Sequence, residues 1–136
     1  RGIIMTQVWP ALTAEIVIGI DSTYNFMNYI DPENPVPLVL AVDEPTTIIF
    51  SLKDDLITSG WTFQDRPFVV GADYSINFSS YSWLDNSVGD VAAPKTKFRL
   101  VFQCARLGVY EYSLMFVDSH GQKIGLDPKI ENGGGQ

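Results

Sequence analysis

One cysteine, Cys104, and one histidine, His120, occur in 136 residues, and that scarcity removes several chemistries before any fold is considered. A single thiol forms no intramolecular disulfide, and it leans towards a reducing, cytoplasmic compartment. A blue-copper centre needs two imidazoles and a thiolate, and zinc needs a comparable set, so no metal and no other cofactor is expected. A Ser-His-Asp triad would have to use His120, and no Gly-x-Ser-x-Gly elbow supplies its nucleophile. Basic residues are also few: 9 Lys and Arg stand against 16 Asp and Glu, for a net charge of −7. That balance opposes phosphate backbones and anionic bilayers, so neither nucleic acid nor a membrane is an expected partner. Apolar runs fall far short of the ~20 residues that span a bilayer. No basic stretch followed by an apolar core opens the chain, so no export signal is read there.

What is present is core material. Hydrophobic residues make up 46% of the chain and charged residues 18%, which suits one domain over 1–136 with a single core. Residues 1–8 and 132–136 are expected to be flexible. Apolar periodicity is close to two almost throughout, and no window has helical spacing. Phe98, Leu100, Phe102 and Cys104 share one face of a strand, and Tyr110, Tyr112, Leu114 and Phe116 share a face of the next. Ala14, Ile16, Ile18 and Ile20 repeat the pattern, as do Ile48, Phe50 and Leu52, and Tyr74, Ile76 and Phe78. Turn chemistry separates the runs at Asp31-Pro32, Asp43-Glu44-Pro45, Asp54-Asp55, Ser59-Gly60, Asp85-Asn86, Ala93-Pro94 and Ser119-His120-Gly121. About eight short strands at this spacing describe an all-β, antiparallel Greek-key β-sandwich. Ser79 to Pro94 reads as a long surface loop.

Gly108-Val109-Tyr110-Glu111-Tyr112 resembles the Gly-x-Tyr-x-Cys stretch of immunoglobulin-like domains, which implies a tyrosine corner at Tyr110, with Trp61 upstream at a strand C position. The same stretch is similar to the end of a cupredoxin, but Leu114 stands at the copper cysteine's position, so the resemblance implies architecture without copper. Asp127-Pro128-Lys129-Ile130-Glu131-Asn132-Gly133, with Asp31-Pro32 and Glu44-Pro45, resembles small bacterial proteins of the DP-EP kind and implies no activity. Pro128 lacks a ladder donor, which argues for a last segment at a sheet edge or outside the sheet.

Candidate sites follow from the remaining polar and aromatic residues. Cys104 reads as a buried small hydrophobe and His120 as a turn residue. Asp85 to Asp90 gathers oxygen ligands in a loop without the spacing or closing glutamate of an EF-hand. The Asp43-Glu44 and Asp54-Asp55 pairs read as solvated hairpin tips rather than acid-base pairs. Tyr81 and Trp83 alternate inside a polar stretch and, with Trp61, are the candidate binding residues. The chain therefore reads as a non-catalytic binding or self-association module for a protein or small ligand, homo-oligomers included. The alternative is a small-ligand or carbohydrate binder using Tyr81, Trp83 and Trp61; an enzyme ranks below both.

Overall fold

In a computed structural model, ten strands among the described residues build two sheets that face each other as a β-sandwich. The structure describes residues 10, 12–70, 81–84, 94–103 and 108–132. The strands are β1 (Thr13–Ile20), β2 (Phe26–Asn28), β3 (Leu40–Val42), β4 (Thr46–Leu52), β5 (Thr62–Val70), β6 (Ser82–Trp83), β7 (Lys97–Phe102), β8 (Gly108–Val117), β9 (Lys123–Leu126) and β10 (Lys129–Asn132), and one helical turn, α1 (Asp54–Thr58), follows β4. The first sheet has the order β2-β1-β4-β7-β6. The second runs β3-β10-β8-β5, with β9 continuing beside β8.

Alternation decides which side chains meet. Ile16 and Ile18 of β1, Ile48, Phe50 and Leu52 of β4, and Phe98, Leu100 and Phe102 of β7 are buried. They face Phe63 and Phe68 of β5 and Tyr112, Leu114 and Phe116 of β8, which are buried too. The aromatic rings stitch the sheets together: Phe63 stands edge-on to Phe98 with centroids 4.9 Å apart, and Phe50 lies 5.9 Å from Tyr112 and 6.1 Å from Phe68. Each such pair adds about 0.5–1.5 kcal/mol beyond its area burial. The core expected at Ile16, Ile18, Ile48, Phe50, Phe98, Leu100, Phe102, Leu114 and Phe116 is the observed one.

Several expectations are corrected. The sheets are mixed: β1 runs parallel to β4, and β10 parallel to β3, among otherwise antiparallel pairs. Parallel neighbours need a crossover, and here β2 and β3 provide it by carrying the chain to the second sheet before β4 returns. The Asp54-Asp55 pair is not a hairpin tip but the first turn of α1, where carboxylates favour the helix N-terminus. Leu56 docks that turn on the core, and Gly60, at φ 97°, ends it. Ser82 and Trp83 are no loop residues: they pair with Arg99 and Phe98 as an edge strand. The last segment is internal, since β10 lies between β3 and β8 and its Asn132 is paired on both sides. Pro128 falls between β9 and β10, where the missing donor costs nothing, and its carbonyl accepts from the Tyr112 N–H.

His120 sits exposed in the β8–β9 turn, as expected, where the Asp118 carboxylate accepts from the N–H groups of His120 and Gln122 at 2.8 and 2.9 Å. Tyr112 is 2% exposed and its hydroxyl donates to the Leu38 carbonyl at 3.4 Å. Burial pushes its ionisation well above the usual tyrosine range. Tyr74 to Phe78, the Asp85 to Asp90 loop, Cys104 and the Tyr110 ring lie outside the described residues and side chains.

Candidate functional site

The first sheet has a second face, opposite the core. Val17, Ser51 and Lys97 point to it, and register aligns them in one row, with Val17 beside Ser51 on β4 and Ser51 beside Lys97 on β7. Neighbouring strands lie about 4.8 Å apart, so the row forms a floor roughly 10 Å wide. It grades from an apolar side chain through a hydroxyl to a cation.

One wall is the chain leaving β2. Asn28, 8% exposed, uses its Oδ1 to accept from the backbone N–H groups of Val17 and Ile30, both at 3.0 Å. Tyr29 N–H donates to the Val17 carbonyl at 2.7 Å, and Asn28 and Val36 exchange backbone bonds at 2.8 and 3.0 Å. These bonds fix a bend that carries Tyr29, Ile30 and Pro32 over the floor. Gly19 makes room for it: a Cβ there would stand 2.6 Å from Tyr29 Cδ1 and 2.9 Å from Lys53 Cδ. No real side chain tolerates that approach, so the Tyr29 ring lies directly on the strand backbone.

The other wall is the start of α1. Lys53 N–H donates to the Ile18 carbonyl at 2.8 Å, its Nζ stands 5.4 Å from the Tyr29 ring centroid and 3.6 Å from the Asp55 carboxylate. Asp54 and Ile57 complete this side. Together the walls and floor bound an open cleft of about 600 Å³ lined by Val17, Tyr29, Ile30, Pro32, Ile57 and Lys97 among others. Small-ligand sites span about 300–1,000 Å³. Ile30 is 49% exposed and Ile57 39%, so apolar surface is held open to solvent on both walls.

The aromatics singled out from the sequence lie elsewhere. Tyr81 and Trp83 touch, with centroids 5.7 Å apart, and Trp83 packs on Phe98 at 5.8 Å and on Phe63 at 6.4 Å. The Tyr81 hydroxyl donates to the Asp65 carbonyl at 2.8 Å, and Lys95 Nζ lies 5.9 Å above the Trp83 ring and 3.5 Å from Asp65. These contacts tie β6 to β5 where the two sheets meet, and both rings are half-buried there. Trp61 packs instead on Phe26 at 5.9 Å and Phe116 at 6.3 Å. The structure thus brings Tyr81 and Trp83 together and leaves Trp61 with a different set of rings.

No protein-family model matches this chain, and no curated protein matches it. The solution structure of amebosin is similar to it at 12% identity, over 91% of this chain and 99% of that one, with a TM-score of 0.41.

Among the described residues no three His, Cys, Asp or Glu gather as metal ligands, and no helix is long and apolar enough to cross a membrane. Asp43 and Glu44 are exposed between β3 and β4, and the Glu44 carbonyl accepts from the Thr46 hydroxyl. Among the described residues, one non-glycine residue has a left-handed backbone. Tyr24, at the β1–β2 turn, has φ 64° and is 87% exposed. The turn is anchored by Asp21, whose carboxyl is held below its ordinary range by hydrogen bonds from the Asn25 N–H and the Thr23 hydroxyl.

Sequence reasoning missed Asn28, Tyr29, Ile30 and Gly19. A lone glycine inside an apolar strand is the signal that was there to read, because it marks a bulge or a close approach by something else.

Proposed function

We propose that this domain is a non-catalytic binding module that receives its partner in the cleft over the outer face of the first sheet. The observation that carries this reading is the way the wall is held. Asn28 is a buried polar side chain whose carbonyl oxygen is spent on two backbone donors, and Gly19 gives up a side chain inside a strand. Glycine inside a strand weakens a plain sandwich on its own account, and Asn28 answers two backbone donors that the bend would otherwise leave unpaired. Their joint effect is to present Tyr29 and Ile30 opposite α1, on a rigid base.

The lining is also of the kind a binding site uses, apolar side chains interspersed with hydroxyl and charged groups. Acyl transfer or acid-base chemistry would need a nucleophile or paired titratable groups within hydrogen-bond reach of one another. The cleft offers Ser51, two lysines and Asp54, and the Ser51 hydroxyl points to the Ile16 carbonyl at 3.5 Å rather than to a base.

The test is a titration of ¹⁵N-labelled protein with small apolar and amphipathic compounds and, separately, with a glycan panel. Amide shifts should cluster at Val17, Tyr29, Ile30, Ile57 and Lys97. Shifts confined to the Tyr81–Trp83 edge, or saturable shifts with glycans alone, would overturn the assignment.

A further inference from the structure

We propose, resting on the reading of the cleft as a binding site, that two copies of this chain pair by exchange, each placing its Tyr24 side chain in the cleft of the other. The turn that carries Tyr24 has a twin. Asp21-Ser22-Thr23-Tyr24-Asn25 joins β1 to β2, and Asp118-Ser119-His120-Gly121-Gln122 joins β8 to β9. In both, the aspartate N–H donates to the carbonyl of the fifth residue, and the N–H of the fourth donates to the aspartate carbonyl. The carboxylate accepts from the N–H groups of the third and fifth residues in both. The fourth residue is left-handed each time, at φ 64° for Tyr24 and 80° for Gly121. Glycine is what this backbone favours, and the second turn has it. The first carries a tyrosine that is 87% exposed, and among the described residues its ring makes no ring contact and its hydroxyl no hydrogen bond. The turn does not call for that side chain, and neither does the core.

A rigid ring on a convex, clamped tip suits a cavity on another molecule, and the same hairpin builds one. From Tyr24 the chain runs through β2 to Tyr29, a wall of the cleft. Val17 on the floor lies seven residues before Tyr24, at most about 25 Å away along the chain. At its exposure Tyr24 does not fill the cleft of its own chain. That cleft, of about 600 Å³, has room for a phenol ring, with Val17, Ile30 and Ile57 to meet it. The Ser51 hydroxyl spends its proton on the Ile16 carbonyl, which leaves its oxygen to accept from the tyrosine hydroxyl. A foreign protein would have to bring both a pocket for Tyr24 and a side chain for the cleft. A second copy brings both, and a two-fold axis makes each insertion imply the other.

Sedimentation equilibrium up to about 1 mM chain reads the association. The wild type should form a dimer, and Tyr24→Gly should weaken it by at least about thirtyfold for each ring removed. In dilute urea melts that variant should be no less stable than the wild type, since the twin turn already holds glycine. Ile30→Glu, at a half-exposed position of the wall, should weaken the dimer as well. Mixing the variants tests the exchange directly. ¹⁵N-labelled Tyr24→Gly keeps the cleft and unlabelled Ile30→Glu keeps the ring, so the amides of Val17, Tyr29, Ile30 and Ile57 should shift when the two are combined. Unlabelled Tyr24→Gly added in its place should leave them still. A wild type that stays monomeric, a dimer that Tyr24→Gly leaves intact, or cleft amides that do not respond to the mixed variant would each overturn the exchange. The titration with small compounds is read separately, so the cleft can fail as the seat of a dimer and still stand as a binding site.

Discussion

Replacing Asn28 by alanine tests the wall of the cleft at its root. The Asn28 Oδ1 serves two donors, the N–H groups of Val17 and Ile30, each at 3.0 Å in part-buried surroundings. Alanine removes the acceptor and offers nothing in return. A buried donor left unsatisfied costs about 1–3 kcal/mol; since both sites are only part-buried, the lower half of that range applies to each. The expected loss is therefore about 2–4 kcal/mol, which for a domain of this size corresponds to a fall in Tm of roughly 5–15 °C. Asn28→Asp keeps an oxygen in place and should lose less than alanine near neutral pH. Urea melts read both variants, and an unchanged m-value shows that the unfolded reference is the same. The effect should also reach function: at temperatures where Asn28→Ala remains folded, the amides of Tyr29 and Ile30 should lose hydrogen-exchange protection. A loss below about 1 kcal/mol for alanine would mean that water takes over both donors. The clamp would then not be what holds the wall.

Further outcomes follow from three single residues. Tyr112→Phe strands the Leu38 carbonyl, but the bond it removes is long at 3.4 Å, so the urea midpoint should report only about 1 kcal/mol; a loss above about 3 kcal/mol would show a stronger partner. The raised ionisation of Tyr112 makes its neutral form the folded one, so its contribution is complete below about pH 10, the usual tyrosine range, and fades as pH rises beyond it; alkaline melts of Tyr112→Phe should lack that limb. Gly19→Val should destabilise by roughly 1–3 kcal/mol through overpacking against Tyr29, read as a fall in the urea midpoint. Tyr24→Gly should stabilise by up to about 1 kcal/mol by relieving the left-handed backbone at φ 64°, and destabilisation in a thermal melt would reveal contacts made by that ring.

The sandwich was legible because its signal is redundant. Ile16 and Ile18, Ile48 and Phe50, Phe98 and Leu100, and Leu114 and Phe116 each declare a face by position alone, and burial follows the declaration strand by strand. Strand direction was not legible. Alternation reads the same in either sense, so the parallel β1–β4 pair depends on where the chain goes between them, through β2 and β3 in two different places. Short elements were lost for a related reason: β6 contains two residues and α1 one turn, fewer than a period needs in order to show itself. At Asp54-Asp55 the residues suit a turn and a helix start equally well, and Leu56, which docks in the core, decides for the helix.

The cleft was illegible for a different reason, because it is made of exceptions to the pattern that made the fold readable. On the outer face of a sheet the expected residues are polar, and Ser51 and Lys97 obey. Val17 does not, and it lines the cleft with Tyr29 and Ile30 from a segment with no periodicity of its own. Their position depends on Asn28, whose type in sequence suggests a turn but not that its side chain reaches back to β1 across eleven positions. Gly19 carried the one local clue, a missing side chain where a strand prefers a branched one. The aromatics that drew attention, Tyr81 and Trp83, mark the opposite case, since their place beside Phe98 and Phe63 seals the joint between sheets. Large rings in polar sequence signal burial at an edge as readily as exposure for a ligand. A glycine and an asparagine that together seat one ring on a bare strand backbone are harder to explain without something for that ring to meet.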